Sequence, residues 1–316
     1  MGILSSIFGG KNKTEEEKQK EQAAKNFDIL KYDGVKAVHM RQFKYAVKCF
    51  NEALALQEDK EVYSFLSAAY LQLGETKEAK NSLEKLLAMD EADVNAWLSV
   101  AGISFMEEDY QAMETACQKV IALDGNNAMA YYLSAKASRG LKNDLQSVIM
   151  VSKALTAKED FMEAYQLRAE ILMSMGQAAE ARKDVDKILT DIPENEDALL
   201  LKAEIDIMEK KTDEADITLQ QVIAMNPFNQ KAYTLRANIL LAEKDFDNAL
   251  ALYNDAIELM PENAQLYQER GNVKLMKGDK EGSLADVKKA IEINPEKGNE
   301  ISGNYDNFSN STKGIY

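Results

Sequence analysis

Apolar and small residues recur in this chain at helical steps, in a unit that contains two such runs. The two runs of one unit are Tyr165, Ala169 and Leu172, then Ala181, Val185 and Ile188. Steps of four and three residues place each run on one face of a helix. Gly176 and Gln177 lie between the runs and indicate a short turn. The pattern predicts a unit of helix, turn, helix and turn.

The same unit recurs about every 34 residues through most of the chain. The four prolines, which end helices, keep this spacing: Pro193, Pro227, Pro261 and Pro295. So does an aromatic position, occupied by Tyr63, Trp97, Tyr131, Tyr165, Tyr233 and Tyr267, with Leu30 and Leu199 in the remaining places. A small residue follows four positions later in every unit, from Gly34 to Gly271, and lets two helices approach closely. Only the first interval departs, since Ala46 and Ala79 are 33 residues apart.

These features resemble the tetratricopeptide-repeat family, whose 34-residue units have an aromatic residue early in the first helix and proline after the second. The resemblance covers about residues 26–295 in eight copies, of which the first four lack the final proline. It implies an all-α fold, a right-handed α-solenoid or superhelix of antiparallel helix pairs. The concave wall would be lined by the first helix of each pair, helix A. It further implies a scaffold or adaptor that binds a partner protein or peptide in that groove.

The segments outside the repeats have a different composition. Residues 1–25 hold a short apolar start and a charged run, and residues 296–316 are rich in Asn, Ser and Gly. We expect the latter to be a flexible tail, whose Tyr305, Phe308 and Tyr316 could instead cover the end of the array. Gly2 and Ser6 fit a myristoylation pattern, and the apolar start could touch a membrane surface. Since so few apolar residues are available, we expect a soluble protein without lipid.

Charge and chemistry narrow the function further. With 38 Lys and Arg against 53 Asp and Glu, the net charge is −15, which disfavours nucleic acid as a partner. His39, Cys49 and Cys117 are too few for a zinc site, and both thiols fall at apolar helix positions. We expect no metal, no cofactor, no small-molecule substrate and no catalysis, and a reducing, cytoplasmic location. The alternative is a non-catalytic subunit of a larger enzyme or membrane-associated assembly.

One basic position recurs in four consecutive units: Arg168, Lys202, Arg236 and Arg270. Stacked units would align these cations in a ladder. The ladder could bind an anion, or its members could pair with the many carboxylates of the chain. We favour pairing.

The candidate partner site consists of helix A residues that do not face helix B, and several of them are apolar. The apolar candidates are Leu98, Phe105, Met106, Met129, Tyr132, Leu200, Ile207 and Met208. Lys136 and Arg139 add cations, and the Asn238 and Asn272 amides could hold a peptide backbone. Trp97, Ala101, Tyr131 and Ala135 are predicted to form the core instead. Surplus apolar surface favours a peptide with apolar anchors and mixed charge, although the same residues could pack against neighbouring helices.

Overall fold

The computed structural model describes residues 14–295, and in that range the chain forms sixteen α-helices and no strand. The helices are α1 Glu15–His39, α2 Phe43–Leu56, α3 Lys60–Gln72, α4 Thr76–Met89, α5 Val94–Met106, α6 Tyr110–Leu123, α7 Ala128–Gly140, α8 Asp144–Ala157, α9 Met162–Ser174, α10 Ala178–Asp191, α11 Glu196–Met208, α12 Thr212–Met225, α13 Gln230–Ala242, α14 Phe246–Leu259, α15 Ala264–Met276 and α16 Lys280–Ile293. Odd-numbered helices are helices A of eight pairs, and even-numbered ones are helices B. The chain divides into two compact units, Met1–Asp160 and Phe161–Tyr316.

Unit 1 contains α1 to α8, and each of its helices packs against the next one. Some helices A also contact each other directly: α1 contacts α3, and α5 contacts α7. The small residues predicted at the crossings are fully buried, among them Ala46, Ala79, Ala101 and Ala135. Gly34 has the same role in α1, because a Cβ atom there would overlap the ring of Phe50.

Unit 2 contains α9 to α16 and repeats this plan. Each helix packs against the next, and α11 also contacts both α9 and α13. The core of the last pairs includes Tyr253, which is 2% exposed and packs with Tyr233 and Leu252. The hydroxyl of Tyr253 donates a hydrogen bond to Glu269 of α15 over 2.8 Å, which satisfies its one polar group.

Polar caps set where helices A begin. In six of the eight, an aspartate or asparagine side chain accepts a hydrogen bond from a backbone N–H of the first turn. These caps are Asp59, Asp93, Asn127, Asn195, Asn229 and Asn263. Helix α1 begins earlier, at a capping box of Thr14 and Glu17, so residues 15–25 of the charged N-terminal segment are helical.

In two helix pairs of unit 1, the aromatic residue of helix A donates a hydrogen bond to the turn that precedes the helix. Trp97 donates from Nε1 to the carbonyl of Glu91 over 2.9 Å, and the hydroxyl of Tyr131 donates to the carbonyl of Gly125 over 3.0 Å. Both rings are partly buried, and that of Trp97 packs against the core cluster that includes Ala101 and Met113. The sequence did not predict their hydrogen bonds, because the repeat register does not encode the turn beneath the ring.

The architecture predicted from the sequence is confirmed: each unit is a solenoid stack of helix pairs at the predicted register. The N-terminal apolar start and the tail at 296–316 lie outside the described residues.

Candidate functional site

Two neighbouring helices A of unit 1 bring most of the predicted partner residues together. Leu98, Gly102 and Phe105 share one face of α5 at steps of four and three residues. Tyr132, Lys136 and Arg139 occupy the equivalent positions of α7, each 34 residues later. We call these six residues the A-wall of unit 1. None of them is buried, and Phe105 is 37% exposed.

Lys136 joins the two helices at the surface. Its Nζ lies 3.8 Å from the centroid of the Phe105 ring and 5.8 Å from that of the Tyr132 ring, both within cation–π range. Partial burial lowers the pKa of Lys136 below its ordinary value. Within residues 14–295, no carboxylate forms an ion pair with Lys136. The ammonium group therefore lies beside two aromatic rings.

The charge of this wall is opposite to that of the chain. Helix α5 carries no charged residue, and the only charged residues of α7 are Lys136 and Arg139. Two exposed methionines extend the apolar surface: Met106 at the end of α5 is 57% exposed, and Met129 in the first turn of α7 is 45% exposed. Within an acidic protein, the charged residues that α5 and α7 contribute are therefore both cations.

In unit 2 the predicted apolar residues are placed differently. Leu200 is only 5% exposed and lies in a core cluster with Leu199, Ala203 and Leu219. Ile207 packs against the same cluster and is half-buried, while Met208 is half-exposed at the end of α11. Leu200 is therefore not available to a partner, and its prediction was wrong. The physical reason is that the cluster around Leu200 includes residues of α12 and α13, as expected if neighbouring helices pack against these side chains.

Asn238 of α13 and Asn272 of α15 are both exposed and occupy equivalent positions of two contacting helices. Among the described residues, neither side-chain amide has a hydrogen-bond partner. Each offers a free donor and a free acceptor. Their role as peptide contacts stays a prediction.

Two of the four recurring cations, Arg168 and Arg270, form ion pairs within the fold. Arg168 donates two hydrogen bonds to Asp184 at 2.8 and 2.6 Å, and Arg270 donates two to Asp286 at 2.9 and 2.6 Å. The carboxylates of Asp184 and Asp286 are 4% and 5% exposed, so these bidentate pairs link helix A to helix B largely out of contact with water.

The other two ladder positions are also occupied. Arg236 pairs with Asp216 at 2.6 Å, and Lys202 donates to the Thr218 hydroxyl at 2.8 Å. The predicted pairing is confirmed, and the ladder is not a free strip for anions.

The two cysteines and the single histidine lie on three different helices, α2, α6 and α1. Cys49 and Cys117 are buried free thiols, and burial raises the pKa of Cys117 to about 12. His39 is exposed at the end of α1. Residues 14–295 contain no cluster of three or more His, Cys, Asp or Glu that could hold a metal ion. No helix of that range has the length and apolar character that a membrane crossing requires.

Solved structures of related architecture place the fold. A tetratricopeptide repeat protein from Parabacteroides merdae matches with a TM-score of 0.62 and 21% identity, over 77% of this chain and 96% of that one. The pilF protein of Pseudomonas aeruginosa matches with a TM-score of 0.58 and 16% identity, over 69% of this chain and 99% of that one. A chain of the APC/C hetero-tetramer Cut9–Hcn1 matches with a TM-score of 0.55 and 13% identity, over 87% of this chain and 55% of that one. No curated protein sequence matches the chain.

Sequence profiles described as tetratricopeptide repeat match residues 61–93, 172–239, 230–263 and 264–297. Together these segments make up about half of the chain, and 61–93, 230–263 and 264–297 each match one helix pair. The chain belongs to the tetratricopeptide-repeat family.

Proposed function

We propose that this protein is a non-catalytic scaffold that binds a partner protein or peptide on the A-wall of unit 1. The observation that carries the proposal is the group of Phe105, Tyr132 and Lys136, in which two rings lie beside a cation that forms no ion pair within residues 14–295. Aromatic residues at the surface supply large contact area at small entropic cost, and they dominate binding energy at protein interfaces.

The residues around this group have complementary roles. Leu98 and Phe105 offer apolar area, and the unbranched side chains of Met106 and Met129 adapt to the shape of a partner. The locally cationic charge would favour partners that carry carboxylates near their apolar contacts. A segment held here needs no rearrangement of the helix pairs, because none of the six residues of the A-wall is buried.

A second set of contacts lies in unit 2. Asn238 and Asn272, one repeat apart and without hydrogen-bond partners in the described chain, would hold the backbone of an extended segment. Ile207 and Met208 would contribute apolar contact, whereas Leu200 would not.

The test is capture of partners from an extract of the native cells, with the wild-type protein and two double variants coupled to beads. Phe105→Asp with Tyr132→Asp should abolish the capture that the wild type shows, because two carboxylates replace the aromatic surface. The control is Leu145→Asp with Ile149→Asp, which adds the same charge to two exposed apolar residues of α8, a helix B.

The control variant should capture the same proteins as the wild type, and circular dichroism should show unchanged helix content in both variants. If the aromatic variant folds and captures the same proteins as the wild type, the site is wrong. Equal loss in both double variants would also contradict it, since charge alone would then explain the effect.

A further inference from the structure

Gly102 in the middle of α5 has no explanation in the fold. Glycine inside a helix is less stable than alanine because it loses more conformational freedom on folding. Its backbone is ordinary helix, so no left-handed conformation requires it. No heavy atom of another element lies within 4 Å of the position that a Cβ atom would take, so no close packing requires it either.

Gly102 differs from the equivalent residue of every other helix pair that keeps the 34-residue spacing. Those positions all carry a side chain: Ala68, Lys136, Glu170, Glu204, Asn238 and Asn272. A glycine that costs helix stability and relieves no contact within the fold is typical of a place where another molecule approaches the backbone closely.

The surroundings of Gly102 indicate what approaches it. Leu98 and Phe105 precede and follow it on the same face of α5, so the missing side chain leaves a notch with apolar residues at both ends. Lys136 of α7 occupies the position equivalent to Gly102, and its ammonium group lies 3.8 Å from the centroid of the Phe105 ring. Since α5 and α7 contain no carboxylate, nothing on these two helices neutralises that cation.

We propose that Gly102 is the floor of a notch that takes an apolar side chain of the partner, and that an aspartate or glutamate beside that side chain pairs with Lys136. The partner segment is therefore apolar and acidic, although the protein itself is strongly acidic. The inference rests on the proposed function and specifies its ligand. A single ammonium group suits one side-chain carboxylate, and the notch suits one anchor residue of the same segment.

The probes are synthetic peptides of about ten residues in a Gly/Ser background, acetylated and amidated so that no terminal charge takes part. Each carries one Leu, Phe, Met or Trp and, at one to four residues' distance, one Asp or Glu. Matched peptides carry Lys or Gln in place of the acid. Binding of each to the full-length protein is measured by fluorescence anisotropy at low salt.

At least one acidic peptide should bind about tenfold more tightly than its Lys counterpart, since a hydrogen bond to a charged group accounts for a factor of this size. In Lys136→Gln that preference should fall below about twofold, because the carboxylate loses its counter-charge. No preference for the acid, no effect of Lys136→Gln, or no binding of any peptide at millimolar concentration would each overturn the inference.

Gly102→Ala separates a ligand notch from a mere weakness of the helix. The added methyl group should raise the melting temperature and at the same time weaken the best acidic peptide by about fivefold or more, because it occupies the floor of the notch. Ala68→Ser adds one atom at the equivalent position of α3 and should leave peptide binding unchanged.

Wild-type affinity in Gly102→Ala would overturn the notch. If the peptides fail while Phe105→Asp with Tyr132→Asp still abolishes partner capture, the proposed function stands and only this inference is wrong.

Discussion

Asp286 shows how single residues bury charge in this acidic chain. Its carboxylate accepts two hydrogen bonds from Arg270 and forms an ion pair with Lys274 at 2.8 Å. Burial by itself raises the pKa of Asp286, but the hydrogen bonds from Arg270 and Lys274 outweigh it and hold the pKa below its ordinary value. A lowered pKa in the folded state means that ionisation of this group stabilises the fold at neutral pH.

The pH dependence of unfolding tests this pair. Asp286→Asn should lower the free energy of unfolding at pH 7 by about 1–3 kcal/mol, because the variant keeps the buried cations but not their counter-charge. The contribution of Asp286 is complete above the ordinary aspartate pKa and is lost as the pH falls through the lowered one. The deficit of the variant, measured by urea denaturation at pH 7, 5, 4 and 3, should therefore shrink toward acid.

The matched control for that series is Asp247→Asn, which removes an 81% exposed carboxylate paired with Lys277. It should change the free energy of unfolding by less than about 0.5 kcal/mol at pH 7, as exposed ion pairs contribute little. A deficit of Asp286→Asn that stays constant from pH 7 to 3 would show that the carboxylate does not act through its charge.

The thiols give a second prediction at this scale. Burial raises the pKa of Cys117 to about 12, so almost none of it is thiolate at pH 8, and Cys49 is likewise enclosed. A thiol reagent such as dithionitrobenzoate should label neither cysteine in the native protein at pH 8 and both in urea. Rapid stoichiometric labelling of the native protein would contradict this placement.

Residue by residue, the sequence predicted which positions are apolar better than how deep they lie. Ala101 and Ala135 are fully buried as expected, because a small residue at a helix crossing has only one environment. Leu200, which was predicted to be accessible, is buried. The depth of a large side chain depends on the turn and the neighbouring helices around it, and the repeat register carries no information on either.

At the scale of the helix pair, the turn between helix A and helix B has one conformation throughout. Each of the eight turns contains one residue with positive φ, between 56° and 92°. The residues are Arg41, Gly74, Glu108, Lys142, Gly176, Lys210, Lys244 and Gly278. The sequence indicated this turn only where it contains glycine, and five of the eight turns use a residue for which the left-handed conformation is unfavourable.

Exchanging residues between turns measures that cost. Gly176→Ala should lower the free energy of unfolding of unit 2 by about 1–2 kcal/mol, because a Cβ atom disfavours positive φ. Lys142→Gly should leave the stability of unit 1 unchanged or raise it by up to about 1 kcal/mol, because glycine relieves the same strain. Both are read by urea denaturation followed by circular dichroism. A loss on Lys142→Gly as large as that on Gly176→Ala would contradict the shared turn geometry.

At the scale of the whole molecule, the repeats continue in sequence across the boundary between the two units. Tyr131 and Tyr165 keep their 34-residue spacing on either side of Asp160, so the period does not predict the division. One local sign is present. Phe161 occupies the position where Asn127 and Asn195 cap their helices, and α9 begins without a side-chain cap. A repeat pattern reflects what the helix pairs have in common. A boundary between compact units can be recognised only where one helix pair departs from that pattern.

Packing between consecutive helices also predicts how the molecule loses structure. In an array where each pair contacts its neighbours, a destabilising change acts on nearby pairs first. Tyr253→Ala removes a fully buried ring and its hydrogen bond to Glu269, and should cost about 3–5 kcal/mol within unit 2. Hydrogen exchange read by mass spectrometry should then speed up in α13 to α16 and stay unchanged in α3 to α6.

Phe228→Ala, which truncates a 64% exposed ring in the same unit, should alter neither region. If Tyr253→Ala accelerates exchange equally in both units, the chain unfolds as a single cooperative body, and local packing does not govern its stability.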